Sequence, residues 1–144
     1  GPLLLKALEL IEKGEAPRIP QDESQATYVS TIDKSFGNID FSEPAEKIER
    51  FFRGLDPWPS AFTKLNGKNL KLYKGKVKET ADLPEEYKNA VPGTVVSVSR
   101  DSFDVLCGKG IISIKQLQLE GKKRMDTADF LRGYEIAPGT VLGN

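Results

Sequence analysis

From Ala61 onward, apolar and polar residues alternate, and the alternation falls into five runs. They are Ala61–Leu65, Asn69–Glu79, Gly93–Ser99, Phe103–Cys107 and Ile111–Leu119. A period of two marks a strand with one buried face. Asn66-Gly67, between the first two runs, is a strong hairpin signal. Arg100-Asp101-Ser102 and the tight Gly108-Lys109-Gly110 segment are the other short turns. Five strands with short connections predict a small closed or partly open barrel. Thr80–Val91, with Pro84-Glu85-Glu86-Tyr87, reads as an inserted acidic loop or short helical turn.

Ahead of the strands the period is 3.6. Ile48, Phe51, Phe52 and Leu55 follow the helical rule and predict a buried stripe on a helix over 43–54, with Ser42 as its N-cap. Asp56-Pro57-Trp58-Pro59 stops that helix, because proline disfavours helical backbone in the residue before it. Trp58 is expected to seal a barrel end beside Phe51 and Phe52, with direct ligand contact as the alternative. After the strands, Asp126 or Thr127 caps a short helix ending at Gly133, and Pro138-Gly139 starts an extended tail.

Near the N-terminus, Leu3–Lys13 reads as a helix ended by Gly14. Its apolar residues cover more than one face, whereas a surface helix needs only one stripe. Leu4, Leu8 and Ile11 therefore require a packing surface: the barrel, or a second copy. Residues 15–42 read as a linker held extended by Pro17 and Pro20, with Thr27, Tyr28, Val29 and Ile32 as one short extended piece.

The second strand has a break in parity. Leu70 and Leu72 are even-numbered, whereas Val77 is odd and Lys74, Lys76 and Lys78 are even. A continuous ladder would drive three ammonium groups into the core, at several kcal/mol each. A bulge between Tyr73 and Gly75 avoids this and turns Lys71, Lys74, Lys76 and Lys78 outward. The same parity places Phe103, Val105 and Cys107 inside, which makes Cys107 a small core residue.

Composition narrows the function classes. Lysine plus arginine and aspartate plus glutamate are equal at 21 each, but residues 1–60 carry a net −4 and residues 61–144 a net +4. Six lysines and no acid lie between Ala61 and Lys78, and Lys122-Lys123-Arg124 forms a second cluster. Lysine rows suit phosphate backbones; the bland reading is protection of a strand edge. With no histidine and one cysteine, a zinc site, a disulfide and histidine-based catalysis have no residues to use. There is no phosphate-binding loop of the strand-to-helix type. No stretch has the length to span a membrane or the layout of a signal peptide, which together with the cysteine usage predicts a cytoplasmic protein.

Four motifs stand in order along the chain: Gln21-Asp22-Glu23-Ser24-Gln25-Ala26-Thr27-Tyr28, Arg53-Gly54-Leu55-Asp56-Pro57-Trp58-Pro59, Leu117-Gln118-Leu119-Glu120-Gly121-Lys122-Lys123-Arg124-Met125, and Asp129-Phe130-Leu131-Arg132-Gly133. Together they resemble the linker and C-terminal domain of the methionyl-tRNA formyltransferase family. The likeness covers nearly the whole chain. Sugar-nucleotide formyltransferases and formyltetrahydrofolate dehydrogenases are similar around the proline turn, but the Glu120–Met125 stretch favours the tRNA enzyme. Two departures stand out: Asp56 where the family usually has Asn, and Ser30-Thr31 where a Pro-Lys pair is usual.

The resemblance implies a mainly β fold with flanking helices, an OB-like small β-barrel preceded by one helix and an extended linker. It implies that residues 1–14 are the last helix of a catalytic domain absent from this chain, 15–42 the linker, and 43–144 the tRNA-binding domain. The implied parent activity is formylation of methionyl-initiator-tRNA in translation initiation, with 10-formyltetrahydrofolate as co-substrate. Its partners are that tRNA and the enzyme's own N-terminal catalytic domain. No cofactor, metal or membrane is expected for the chain, and alone it is expected to be inactive. Lys71, Lys74, Lys76, Lys78, Lys122, Lys123 and Arg124 are the candidate tRNA contacts. The alternative is a non-catalytic interaction or buttressing domain of a related formyltransferase.

Overall fold

A computed structural model describes residues 1–79 and 83–143. The chain forms two units, Gly1–Thr31 and Ile32–Asn144. In the first, α1 spans Pro2–Glu12 with proline in its first turn. Gly14, at φ 72°, ends it: only glycine takes that left-handed backbone without a Cβ penalty. Leu3, Leu4, Leu5, Leu8 and Ile11 are exposed. Further along, Asp22 caps a one-turn 3-10 helix, Glu23–Gln25, its carboxylate accepting from the Ser24 amide at 3.0 Å. The extended piece expected over Thr27–Ile32 joins no strand; Tyr28 and Val29 are exposed.

The second unit opens earlier than the linker reading implies. Ile39 and Phe41 are buried, the Ile39 amide donates to the Phe62 carbonyl at 2.9 Å, and the Phe41 carbonyl accepts from the Gly108 amide at 2.9 Å. The next helix, α2 (Ala45–Leu55), consequently starts later than residue 43. Pro44 is its N-cap, and the Lys109 carbonyl, rather than the Ser42 side chain, takes the Ala45 amide at 2.9 Å. Ile48, Phe52 and Leu55 are buried as the periodicity requires; Phe51 is half-buried and lies against the exposed Phe36 ring at 5.4 Å.

The strands are β1 (Ala61–Leu65), β2 (Lys68–Lys78), β3 (Val95–Val98), β4 (Phe103–Leu106), β5 (Ile111–Leu119) and a two-residue β6 (Met125–Asp126). They form one antiparallel sheet in the order β1-β2-β5-β4-β3, with β6 beside the C-terminal half of β5. Asn66 and Gly67 both have positive φ, the requirement of the tight β1–β2 hairpin turn. The bulge is present: the β2–β5 register shifts between Leu72 and Lys74 and again between Lys74 and Gly75. Leu70 and Leu72 before it are fully buried, and Val77 after it packs against the same core. Gly75 belongs there because a Cβ would come within 2.8 Å of Ile112 and 3.0 Å of Phe52. Its absence lets α2 lie close on the sheet.

Phe103, Val105 and Cys107 are buried in the main core, as expected. Val96, Leu106 and Ile111 form a smaller cluster under Leu83, Tyr87 and Ala90. The inserted segment is thus a cover for them, with a 3-10 turn at Glu85–Tyr87; Thr80–Asp82 lie outside the described residues. A short α3 (Thr127–Leu131) buries Phe130, which stacks on Tyr134 at 4.9 Å.

The sheet does not close into a strict barrel, because β1 and β3 are not paired. The C-terminal tail occupies the open side. Thr140 accepts from the Val95 amide at 2.7 Å, the Leu142 amide donates to Gly93 at 2.9 Å, and the Gly143 amide donates to Lys64 on β1 at 2.9 Å.

Candidate nucleic-acid interface

The outer face of the sheet carries the lysines. Lys74 and Lys76 are exposed and Lys71 and Lys78 half-buried. On β5 the residues opposite Lys71, Lys74 and Lys76 are Gln118, Gln116 and Ser113. Gln118 connects the row to the second cluster. Its amide nitrogen donates to the Lys122 carbonyl at 2.9 Å, and its oxygen accepts from the Tyr73 hydroxyl at 2.9 Å. The loop bearing the exposed Lys122 and Lys123 is thereby fixed beside the Lys71 end of the row.

Arg124, one of the candidate contacts, is already engaged within the domain. Its two terminal nitrogens donate to both Asp56 oxygens at 2.9 Å, its Nε donates to Gln116 at 2.8 Å, and its guanidinium lies 3.8 Å from the centre of the Tyr73 ring. This is the bidentate, stacked arrangement for which arginine is better suited than lysine. It ties the turn after α2 to the β5–β6 hairpin. Asp56, the departure from the usual Asn, supplies the second charged oxygen of the fork.

Lys78 is also committed. It donates to Asp104 at 2.9 Å. The other Asp104 oxygen has no partner among the described residues. Moving Lys78 onto a phosphate would leave a largely buried carboxylate uncompensated, which is costly. Among the described residues Lys71, Lys74, Lys76, Lys122 and Lys123 form no ion pair.

Two members of the surface were missed from the sequence. Lys115 lies on the β5 side of the bulge and pairs with Asp101 at 2.9 Å. That bond, first, and one from Ser99 hold the Asp101 carboxyl below its usual pKa. The signal was a parity change in β5 itself, where Ile112 and Ile114 are even and Leu117 and Leu119 odd. Arg53, bonded to Glu49 at 2.7 Å, joins Lys74, Lys115 and Arg124 in lining a cleft of about 500 Å³ with Glu49, Asp56, Tyr73 and Gly75.

The proline turn beside this cleft also differs from expectation. Trp58 is 57% exposed rather than sealing the barrel. The buried side chains at the end of α2 are Phe52 and Leu55. Both Asp56–Pro57 and Trp58–Pro59 are cis.

The fold and this surface can be set beside known proteins. The model of the family described as formyl transferase, C-terminal domain, matches residues 31–135. The chain belongs to that family. The methionyl-tRNA formyltransferase of Lachnospira eligens is 46% identical over 143 residues, covering 98% of this chain and 44% of that protein. That of Geotalea uraniireducens is 39% identical over 140 residues, covering 97% and 42%. The chain therefore spans less than half the length of these curated relatives. A crystal structure of HypX from Aquifex aeolicus matches with a TM-score of 0.59 at 21% identity, over 94% of this chain and 24% of that one; at that identity the likeness concerns the fold. Membership accounts for the mainly antiparallel sheet with a few helices. No helix among the described residues is long and apolar enough to cross a membrane.

Proposed function

We propose that this formyltransferase-family domain serves as the tRNA-holding part of a methionyl-tRNA formyltransferase, gripping the phosphate backbone of initiator methionyl-tRNA. The observation that carries this is the row of lysines on β2, Lys71, Lys74 and Lys76, which form no ion pair among the described residues and are joined through Gln118 to the Lys122-Lys123 loop. Successive same-face residues on a strand lie roughly 6.5–7 Å apart, so the row meets an extended polyanion at several points. Such contacts supply affinity by releasing counterions and carry no base readout. The curated relatives are named methionyl-tRNA formyltransferases, which supports the choice of tRNA; in this reading the formyl transfer itself is carried by residues other than those of this chain. With no histidine, the chain alone transfers no formyl group from 10-formyltetrahydrofolate to methionyl-tRNA. Formylated product above a heat-killed control would contradict that.

Titration of tRNA into the purified chain at rising salt tests the reading. Affinity that falls steeply and linearly on a log–log plot supports it. Absent or salt-independent binding overturns it in favour of a buttressing domain.

A further inference from the structure

The turn Asp56-Pro57-Trp58-Pro59 is held from both sides, yet it presents its indole to solvent. The Ser60 amide donates to the Leu55 carbonyl at 2.9 Å and the Ser60 hydroxyl to the Pro57 carbonyl at 2.9 Å. Asp56 is clamped by Arg124, and Pro59 and Ser60 are buried. The backbone carrying Trp58 is thus fixed before any ligand arrives, while the side chain does little of the packing. A pre-ordered aromatic loses little entropy on binding.

Charge selects the ligand. Two residues along the chain, and so no more than about 7.6 Å away Cα to Cα, Asp56 borders the cleft of Arg53, Lys74, Lys115 and Arg124. Arg53, Arg124 and Lys115 are paired with Glu49, Asp56 and Asp101, and Lys74 is left with no acidic partner among the described residues. An exposed aromatic beside an uncompensated cation is the pairing that holds unpaired nucleotides, the base on the ring and the phosphate on the cation.

We infer that Trp58 is a stacking platform for an unpaired nucleotide of the bound RNA, whose flanking phosphate lies on the adjoining cleft at Lys74. This rests on the RNA-binding reading above and adds to it a contact that the lysine row does not provide. Inside a duplex the base faces are stacked on one another and closed to the ring, so along its length the platform distinguishes single-stranded or looped RNA from helical RNA of equal charge.

Trp58 is the sole tryptophan, so its emission reports on this one position. The chain is titrated with a single-stranded 12-nucleotide RNA, a blunt RNA duplex and tRNA, following indole emission and, independently, the anisotropy of labelled RNA. Single-stranded RNA and tRNA are expected to quench the indole, and the duplex to bind without quenching. Trp58→Ala should weaken single-strand affinity roughly 5- to 100-fold and leave duplex affinity and the salt slope unchanged. Trp58→Phe should recover most of the loss. Equal thermal midpoints for the three proteins exclude a folding effect. RNA binding by anisotropy with unaltered emission, or a Trp58→Ala variant that binds single strands like wild type, overturns the inference and leaves the lysine row standing. Emission that shifts with protein concentration rather than RNA means that a second copy covers the indole, and also overturns it. Loss of all RNA binding removes the parent reading as well.

Discussion

Replacing Arg124 by alanine removes one side chain that joins three elements of the domain. Its fork to Asp56 is charge-assisted and bidentate, but the side chains are 37% and 30% exposed, so solvent screens the pair and its contribution falls to about 1 kcal/mol. Stacking on Tyr73 adds about 0.5–1 kcal/mol, and the bond to Gln116 about 0.5 kcal/mol. Arg124→Ala should therefore destabilise by about 2 kcal/mol, or about 8 °C in Tm for a unit of this size. Lysine at this position keeps the charge but cannot form the fork, and should recover less than half. The assay is urea unfolding of wild type, Arg124→Ala, Asp56→Ala and the double variant. A coupling near 1 kcal/mol between the two positions is expected. A loss below about 0.5 kcal/mol for Arg124→Ala, or additive single variants, would refute the strut and return Arg124 to the phosphate-contacting set.

Two other perturbations test the packing. A Cβ at Gly108 would overlap the Ser42 carbonyl, where the 41–45 segment lies against the β4–β5 turn. Gly108→Ala should cost about 4 kcal/mol or more and show as lost cooperativity in a melt, whereas Gly133→Ala, with open space around it, should fold normally. Burial pushes the Cys107 thiol up to about 12, so a thiol reagent at pH 8 should label it only after denaturant is added. The sign of the linkage follows. Below about pH 9 the thiol is protonated in both states and contributes no pH dependence. Between about 9 and 12 only the unfolded thiol ionises, so wild type should lose stability relative to Cys107→Ala as pH rises.

Much of the sheet was legible because its information is local. Asn66-Gly67 encodes the hairpin within two residues, and the odd–even break between Leu72 and Val77 encodes the bulge within one strand. What was not legible depends on distant partners. The pairing of Asp56 with Arg124 spans 68 positions. Ile39 and Phe41 look like linker because single bridges and isolated backbone bonds leave no periodic pattern. The two-residue β6 and the tail that fills the open side of the sheet are invisible for the same reason. Trp58 was misread because hydrophobicity alone places an indole inside, whereas the buried positions at this end of α2 are taken by Phe52 and Leu55. The candidate site was half legible. The β2 and loop lysines and Arg124 were named, but the pairing of Lys78 with Asp104 and of Arg124 with Asp56 depends on tertiary contacts, and Lys115, paired with Asp101, was missed.

The most direct test of the RNA-holding account is tRNA affinity against salt for wild type, Lys71/Lys74/Lys76→Ala, Lys122/Lys123→Ala and Lys115→Ala. Each phosphate contact removed should lower the log–log slope by about 0.7–0.9. The account predicts a fall of about 2 or more for the β2 triple variant, more than 1 for the loop variant, and little change for Lys115→Ala, whose cation is already paired. Unchanged slopes in both multiple variants, or a fall confined to Lys115→Ala, would contradict it.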